Sequence, residues 1–140
     1  MRKRVDFILY FDEDLLAGFA YMIKNNRYAA ILYLDVNSAV RGRGYGGQIL
    51  GLIKEASASK EVILNIESLD EHAPNAEQRV KRLAFYEKNG FTLCLYLIRK
   101  LGVDFAVMNQ TGQPVPFDYQ DIFDYFSFGL GDVLIRPINQ

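Results

Sequence analysis

The sequence predicts a mixed α/β fold of the α+β kind: a mostly antiparallel sheet with one parallel strand–helix–strand crossover, and helices on its flanks. Three observations predict it. Two strand-like segments, residues 5–11 and 15–24, enclose a short charged turn and make a hairpin. An almost continuously apolar run, residues 28–37, is followed by a glycine cluster, an amphipathic helical stretch and another strand, the order of a right-handed crossover between parallel strands. A second helical stretch and two more strand-like segments come next, which adds antiparallel pairs to the sheet.

Each element has its own warrant. Val5 to Phe11 is rich in β-branched and aromatic residues, Asp12-Glu13-Asp14 reads as a solvated turn, and Asn25-Asn26-Arg27 is the next one. Tyr28, Ala29, Ala30, Ile31, Leu32, Tyr33, Leu34 and Val36 are what a strand covered on both faces looks like, so this strand is predicted to be central. Asp35 within it either finds partners or marks where the strand leaves the core. Tyr45, Ile49, Leu52, Ile53 and Ala56 recur at helical spacing and predict a helix to about Ser57. Residues 61–67 are the second parallel strand, and 68–75 a polar loop with Pro74. A helix is expected from about Ala76 to Asn89 with Val80, Leu83 and Ala84 inward, ended by Gly90 in the left-handed conformation. Residues 91–98 and 103–108 form a closing pair around a solvated Arg99-Lys100 turn. Asn109 to Phe117 reads as loop, and Asp118 to Tyr125 as a short helix near whose N-cap Asp118 sits, with Tyr119, Phe123, Tyr125 and Phe126 packing.

The bulk properties set limits. A chain of 140 residues, half of them hydrophobic, fits one domain over residues 1–140. Sixteen basic against seventeen acidic residues give a net charge of −1, which offers no footprint for nucleic acid or an anionic membrane. Any anion must therefore be held by local arrangement. Cys94 is the one cysteine, so no intrachain disulfide or cysteine-based zinc site can form, and it reads as a small core residue in a reducing cytoplasm. No metal site is expected. Met1-Arg2-Lys3-Arg4 resembles the start of an export signal, but Asp6, Asp12, Glu13 and Asp14 put charges where an export signal needs an apolar core. The longest uncharged run, 105–117, contains two prolines and falls short of the ~20 residues of a spanning helix.

Arg41-Gly42-Arg43-Gly44-Tyr45-Gly46-Gly47 stands between a buried strand and a helix. The first amides of a helix lack internal partners and carry the positive end of its dipole, so a phosphate can accept several at once. Glycine removes the Cβ that would keep the backbone away from the phosphate, and arginine adds charge and paired donors. Other readings stand beside this one. The residues can be plain turn chemistry, or a single Arg-Gly box of the RNA-binding type, which the net charge opposes. No Gly-Lys-Ser/Thr comes after the turn, so it is not a P-loop, and its place after a hairpin fits a dinucleotide fingerprint poorly.

Val36 followed by Arg41-Gly42-Arg43-Gly44-Tyr45-Gly46 resembles motif A of the GNAT acetyltransferases, Q/R-x-x-G-x-G/A. Arg82-Leu83-Ala84-Phe85-Tyr86-Glu87-Lys88-Asn89-Gly90-Phe91 is similar to that family's motif B, a Phe/Leu-Tyr pair with Gly-Phe four residues later. The resemblance covers residues 5 to about 108. It implies a GNAT-like fold with acetyl-CoA in a V-shaped gap between the two parallel strands. The pantetheine arm would pair with backbone near Leu34 and Val36, and the pyrophosphate would sit on the amides of residues 42–47. It implies an N-acetyltransferase, with acetyl-CoA and an amine acceptor as partners. The family's opening strand and helices, which help form the acceptor site, have no counterpart here. Either the chain is a truncated form, or another subunit, as in a homodimer, fills that wall. A non-catalytic acyl-CoA-binding or interaction module is the alternative this departure favours. The asparagine many members carry seven places before the motif B tyrosine is Arg79, and a glutamate some use as base falls at Ala30.

Transfer of an acyl group from a thioester to an amine needs a neutral amine, donors for the oxyanion and a proton for the departing thiolate. An alkylamine of pKa ~10.4 is mostly charged at neutral pH, so a base or desolvation must help. A backbone amide near Val36 can meet the oxyanion. Tyr86 is the expected acid for the thiolate, against the plainer reading of a packed helical tyrosine. Glu67, ending the second parallel strand, is the candidate base, directly or through water, against an ordinary exposed carboxylate. His72 reads as a solvated loop residue.

Overall fold

The structure, a computed structural model, describes residues 4–100 and 102–113. The helix expected at 118–125 and its aromatic residues lie outside them. The strands are β1 (Arg4–Asp12), β2 (Leu15–Lys24), β3 (Tyr28–Val36), β4 (Glu61–Glu67), β5 (Thr92–Lys100) and β6 (Val103–Asn109). The helices are α1 (Tyr45–Ala56) and α2 (Ala76–Lys88), and a short 3-10 turn spans Ser38–Val40. The sheet order is β1-β2-β3-β4-β6-β5, mixed and mostly antiparallel with one parallel pair. The chain divides into two compact units, one within Met1–Val62 and one within Ile63–Phe117. Among the described residues no helix is long and apolar enough to cross a membrane.

In the first unit β2 pairs antiparallel with both β1 and β3. The Glu61 amide donates to the Arg27 carbonyl at 2.8 Å, so β4 opens at the same end as β3 and the two set out in parallel. Phe19, Met22, Ile23, Tyr28, Ala29, Ala30 and Ile31 are buried, as expected of central strands. Helix α1 packs on β2 and β3, and Ile49, Leu50 and Ile53 are its buried residues. Burying each of these fully contributes about 1.5–3 kcal/mol. Gly18 makes this approach possible. A Cβ there would lie 2.4 Å from the Asp35 carbonyl oxygen and 2.9 Å from Ile49 Cδ1.

The helix face differs from the one expected. Leu52 is 50% exposed and Ala56 is exposed too, while Leu50 and Ser57 are buried. The buried stripe 49-50-53-57 is as regular a helical face as the predicted one. Ile49 and Ile53 are inward as expected, and the face extends from them to Leu50 and Ser57 rather than to Leu52 and Ala56, a choice that periodicity alone leaves open.

In the second unit β6 pairs antiparallel with β4 and β5. Ile63, Leu64, Ile66, Phe91, Cys94, Ala106, Val107 and Met108 are buried. Strand β5 runs on to Lys100, so Arg99 and Lys100 belong to a strand rather than to the expected turn. Gly102 at φ 79° takes the left-handed position that the tight connection requires. Helix α2 also turns a different face inward: Val80 is 55% exposed and Ala84 exposed, Leu83 is half-buried, and Tyr86 is its buried residue. The face centred on Tyr86 passes through Arg79, a charged residue that an apolar pattern cannot flag. Gly90 ends the helix at φ 92°, as predicted.

Candidate functional site

The glycine-rich turn is set in place from β3 outward. The Asn37 amide donates to the Ala17 carbonyl at 2.8 Å, and its Nδ2 donates to the Leu16 carbonyl at 2.8 Å. Its Oδ1 accepts the Ala39 amide at 3.0 Å, capping the 3-10 turn. Val40 is buried. The course from β3 to α1 is thus fixed by one asparagine and one apolar plug. Gly42 and Gly44 then sit at φ 85° and 83°, the left-handed region that a side chain disfavours. Gly44 is the N-cap of α1 and makes no side-chain capping bond. The Gln48 amide returns to the Gly44 carbonyl at 3.3 Å. The head of α1, Tyr45-Gly46-Gly47, therefore carries no side-chain acceptor from its own N-cap and little side-chain bulk.

The two arginines of the turn part company. Arg41 folds back onto the end of β3: its Nε donates to the Val36 carbonyl at 3.3 Å and its Nη2 to Asp35 Oδ1 at 3.1 Å. Asp35 Oδ1 also accepts the Val36 amide at 3.1 Å. The carboxylate that looks anomalous in an apolar strand thus has its partners. Arg43 stays exposed near Tyr45. The Tyr45 hydroxyl donates to Asp12 Oδ2 at 2.6 Å, which raises the phenol above its ordinary value against a smaller opposing effect of Arg43. Leu34 and Val36 are half-buried. A shallow pocket at the ends of β2 and β3 is lined by Leu16, Gly18, Phe19, Asp35, Val36 and Asn37.

In the second unit, Glu67 ends β4 in a dense polar cluster. Arg79 Nη2 lies 2.8 Å from Glu67 Oε2, and Asn75 Nδ2 donates to Glu67 Oε1 at 3.1 Å. Arg82 Nη1 stands 4.0 Å from Oε1. Tyr86 is buried, with its ring edge-on to Phe91 at 6.0 Å and to Phe85 at 5.1 Å. His72 is a surface loop residue beside Glu71, as its sequence position suggests. Cys94 is buried.

Three features are not foreseen from the sequence: the Asn37 anchor, the Asp12–Tyr45 tether and the Glu67–Asn75–Arg79 cluster. The first has a signal, since asparagine directly after a strand is a strong turn and cap residue. Asn75 and Arg79 stand four apart at a helix start, a spacing that brings side chains together. Asp12 and Tyr45 meet only through the folded sheet.

A mixed sheet whose central strand runs through a left-handed glycine turn into an uncapped helix head agrees with the fold that the resemblance to the acetyltransferases implies. The sequence profile of the acetyltransferase (GNAT) domain matches residues 3–93, and the chain belongs to that family. No curated protein sequence matches the chain. Among solved structures, one described as an acetyltransferase of the GNAT family, from Bacteroides thetaiotaomicron, is 25% identical, with a TM-score of 0.63 over 86% of this chain and 69% of that one. An aminoglycoside 6'-N-acetyltransferase complexed with coenzyme A is 20% identical, with a TM-score of 0.54 over 77% of this chain and 73% of its own. Arabidopsis thaliana Naa50, in complex with the bisubstrate analogue CoA-Ac-MVNAL, is 22% identical, with a TM-score of 0.53 over 74% of this chain and 70% of its own. The last two show a shared fold.

Proposed function

We propose that the chain is an N-acetyltransferase that moves the acetyl group of acetyl-CoA onto a primary amine by direct attack in a ternary complex. The observation that carries this reading is the head of α1: left-handed Gly42 and Gly44 lead into Tyr45-Gly46-Gly47 with no side-chain cap, in a chain of the acetyltransferase family. Those amides suit a diphosphate, and Arg43 adds an exposed cation. Arg41, held on Asp35 and the Val36 carbonyl, shapes the strand end beside the turn.

In this reading the pantetheine arm pairs with backbone at Leu34 and Val36, as an added strand would. The amine nitrogen attacks the thioester carbonyl, and a backbone amide near Val36 is the donor proposed for the oxyanion, the Val36 amide itself being held by Asp35. Collapse breaks the C–S bond, and the thiolate takes its proton from Tyr86. Glu67 is the proposed base, receiving through water the proton that the attacking nitrogen carries in the tetrahedral intermediate. The acceptor enters as a neutral amine.

The test is thiol release from acetyl-CoA in the presence of lysine, an aminoglycoside and a peptide with a free N-terminus. Turnover with at least one of them is expected. Tyr86→Phe should lower kcat roughly 100-fold with the acetyl-CoA KM within about threefold, since a general acid contributes on the order of 100-fold or more. Binding of coenzyme A with no turnover by any acceptor would replace the enzyme by an acyl-CoA-binding module.

A further inference from the structure

We propose that Arg79 is a positioning residue for this reaction: its guanidinium locks α2 to the end of β4 and thereby sets where Tyr86 and Glu67 stand. The proposal rests on the function proposed above, in which those two residues carry the proton transfers.

Every nitrogen of the guanidinium is engaged, each with a different partner. Nη2 pairs with Glu67 Oε2 at 2.8 Å, Nη1 donates to the Ser68 carbonyl at 3.0 Å, and Nε donates to Asn75 Oδ1 at 2.8 Å. Asn75 closes the ring by donating from Nδ2 to Glu67 Oε1 at 3.1 Å. The Arg79 side chain is only 13% exposed and that of Glu67 27%, so the pair is screened far less than a surface ion pair. Ser68 is in turn fixed to β6, its amide donating to the Asp104 carbonyl at 3.0 Å. One side chain thus joins the last residue of β4, the residue after it and the N-cap of α2. The planar fork supplies three donor directions at once, which an ammonium on a flexible stem cannot reproduce.

The other end of α2 is held differently. The Phe91 amide donates to the Tyr86 carbonyl at 3.0 Å, and the two rings meet edge to face. Arg79 and Tyr86 are seven residues apart, two helical turns, and so lie on one face. The helix is pinned at both ends of that face, by ions at the start and by rings at the finish. Without the first pin it can pivot on the second, and the phenol and the carboxylate lose their fixed places. Displacement of a reacting group by about 1 Å can cost on the order of 100-fold in rate.

The experiment compares Arg79→Gln, Arg79→Lys and the control Lys81→Gln, an exposed cation of the same helix, using acetyl-CoA and whichever of the three acceptors turns over. Arg79→Gln should lower kcat roughly 10- to 100-fold with the acetyl-CoA KM within about threefold. Arg79→Lys, which can restore the pair with Glu67 alone, should recover part of it, and Lys81→Gln should stay within about threefold of the unaltered chain. In the Tyr86→Phe background Arg79→Gln should cost less than it does alone, because one of the two groups it positions has been removed. Additive losses in that double variant, or equal effects of Arg79→Gln and Lys81→Gln, would overturn the proposal. Amide hydrogen exchange gives a readout independent of turnover: exchange across α2 should quicken in Arg79→Gln and not in Lys81→Gln. If the unaltered chain turns over no acceptor, the function itself fails, and the clamp on α2 then stands or falls on exchange alone.

Discussion

Gly18 and Gly44 are both required, for opposite reasons, and substitution separates them. A Cβ on Gly44 would meet nothing within 4 Å, but the residue sits at φ 83°. Alanine there pays in backbone strain alone, about 1–2 kcal/mol. Gly18 has no such angle, yet its Cβ would press on the Asp35 carbonyl oxygen, a backbone atom that cannot swing away. We expect Gly18→Ala to cost about 2 kcal/mol or more in urea denaturation, through separation of β2 from β3. Gly44→Ala should cost less in stability and more in coenzyme A affinity, at least about tenfold by calorimetry, because the amides it precedes are re-aimed. Asp6 yields a third expectation at this scale. Burial raises its carboxyl, but hydrogen bonds and charges from Arg4 and Lys24 outweigh that and hold it below its ordinary value of 3.8. Arg4 is 79% exposed and Lys24 17%, so Lys24, 3.2 Å away, is the effective partner. A folded-state value below the unfolded one gives stability that is present above the unfolded value and lost as pH falls through the folded one. The urea midpoint should therefore drop more steeply below pH ~4 in the native chain than in Asp6→Asn.

At the scale of elements, the strands are legible nearly to their ends, with β5 running two residues past its expected end, and the helices only in outline. Leu15–Lys24 and Glu61–Glu67 have the bounds that turn residues and apolar runs predict, because a strand in a sheet interior is apolar on both faces and needs no choice between them. A helix needs such a choice. On α2 it is made by Arg79 and Tyr86, an ion pair and an aromatic, so the apolar stripe of Val80 and Ala84 faces outward. The hairpin tip between β1 and β2 reads as a plain solvated turn, and its residues are indeed exposed. Its sequence carries no sign that Asp12 reaches Tyr45 at the head of α1. A carboxylate beside the turn proposed to hold the diphosphate would oppose that anion. Asp12→Asn keeps an acceptor for the phenol and removes the charge, so coenzyme A should bind roughly two- to fivefold more tightly at low salt. The gain should fade above about 0.5 M salt, as expected for an exposed charge. Weaker binding at low salt would mean that the tether outweighs the repulsion.

For the whole molecule, membership in the acetyltransferase family is readable from two short motifs, since turn glycines and a helix-ending Gly-Phe reflect backbone geometry and leave a local trace. The roles around them are less readable. Arg41 and Arg43 look equivalent in the sequence, yet one is bound to Asp35 and the other is exposed, a difference that depends on where a distant strand ends. The chain's net charge of −1 gives a polyanionic cosubstrate no general attraction, so the proposed binding rests on the turn. That makes ligand-linked stability a sharp test of the turn. A ligand that binds only the folded chain stabilises it by about 2.7 kcal/mol at 100 times its Kd. For a chain of this length that should raise Tm by roughly 8 °C. Coenzyme A at that excess should produce such a shift in the native chain. The shift should shrink as salt screens Arg43 and the helix dipole, and nearly vanish in Gly44→Ala, while Tyr86→Phe keeps it. A shift that survives in Gly44→Ala would place the diphosphate somewhere other than the head of α1.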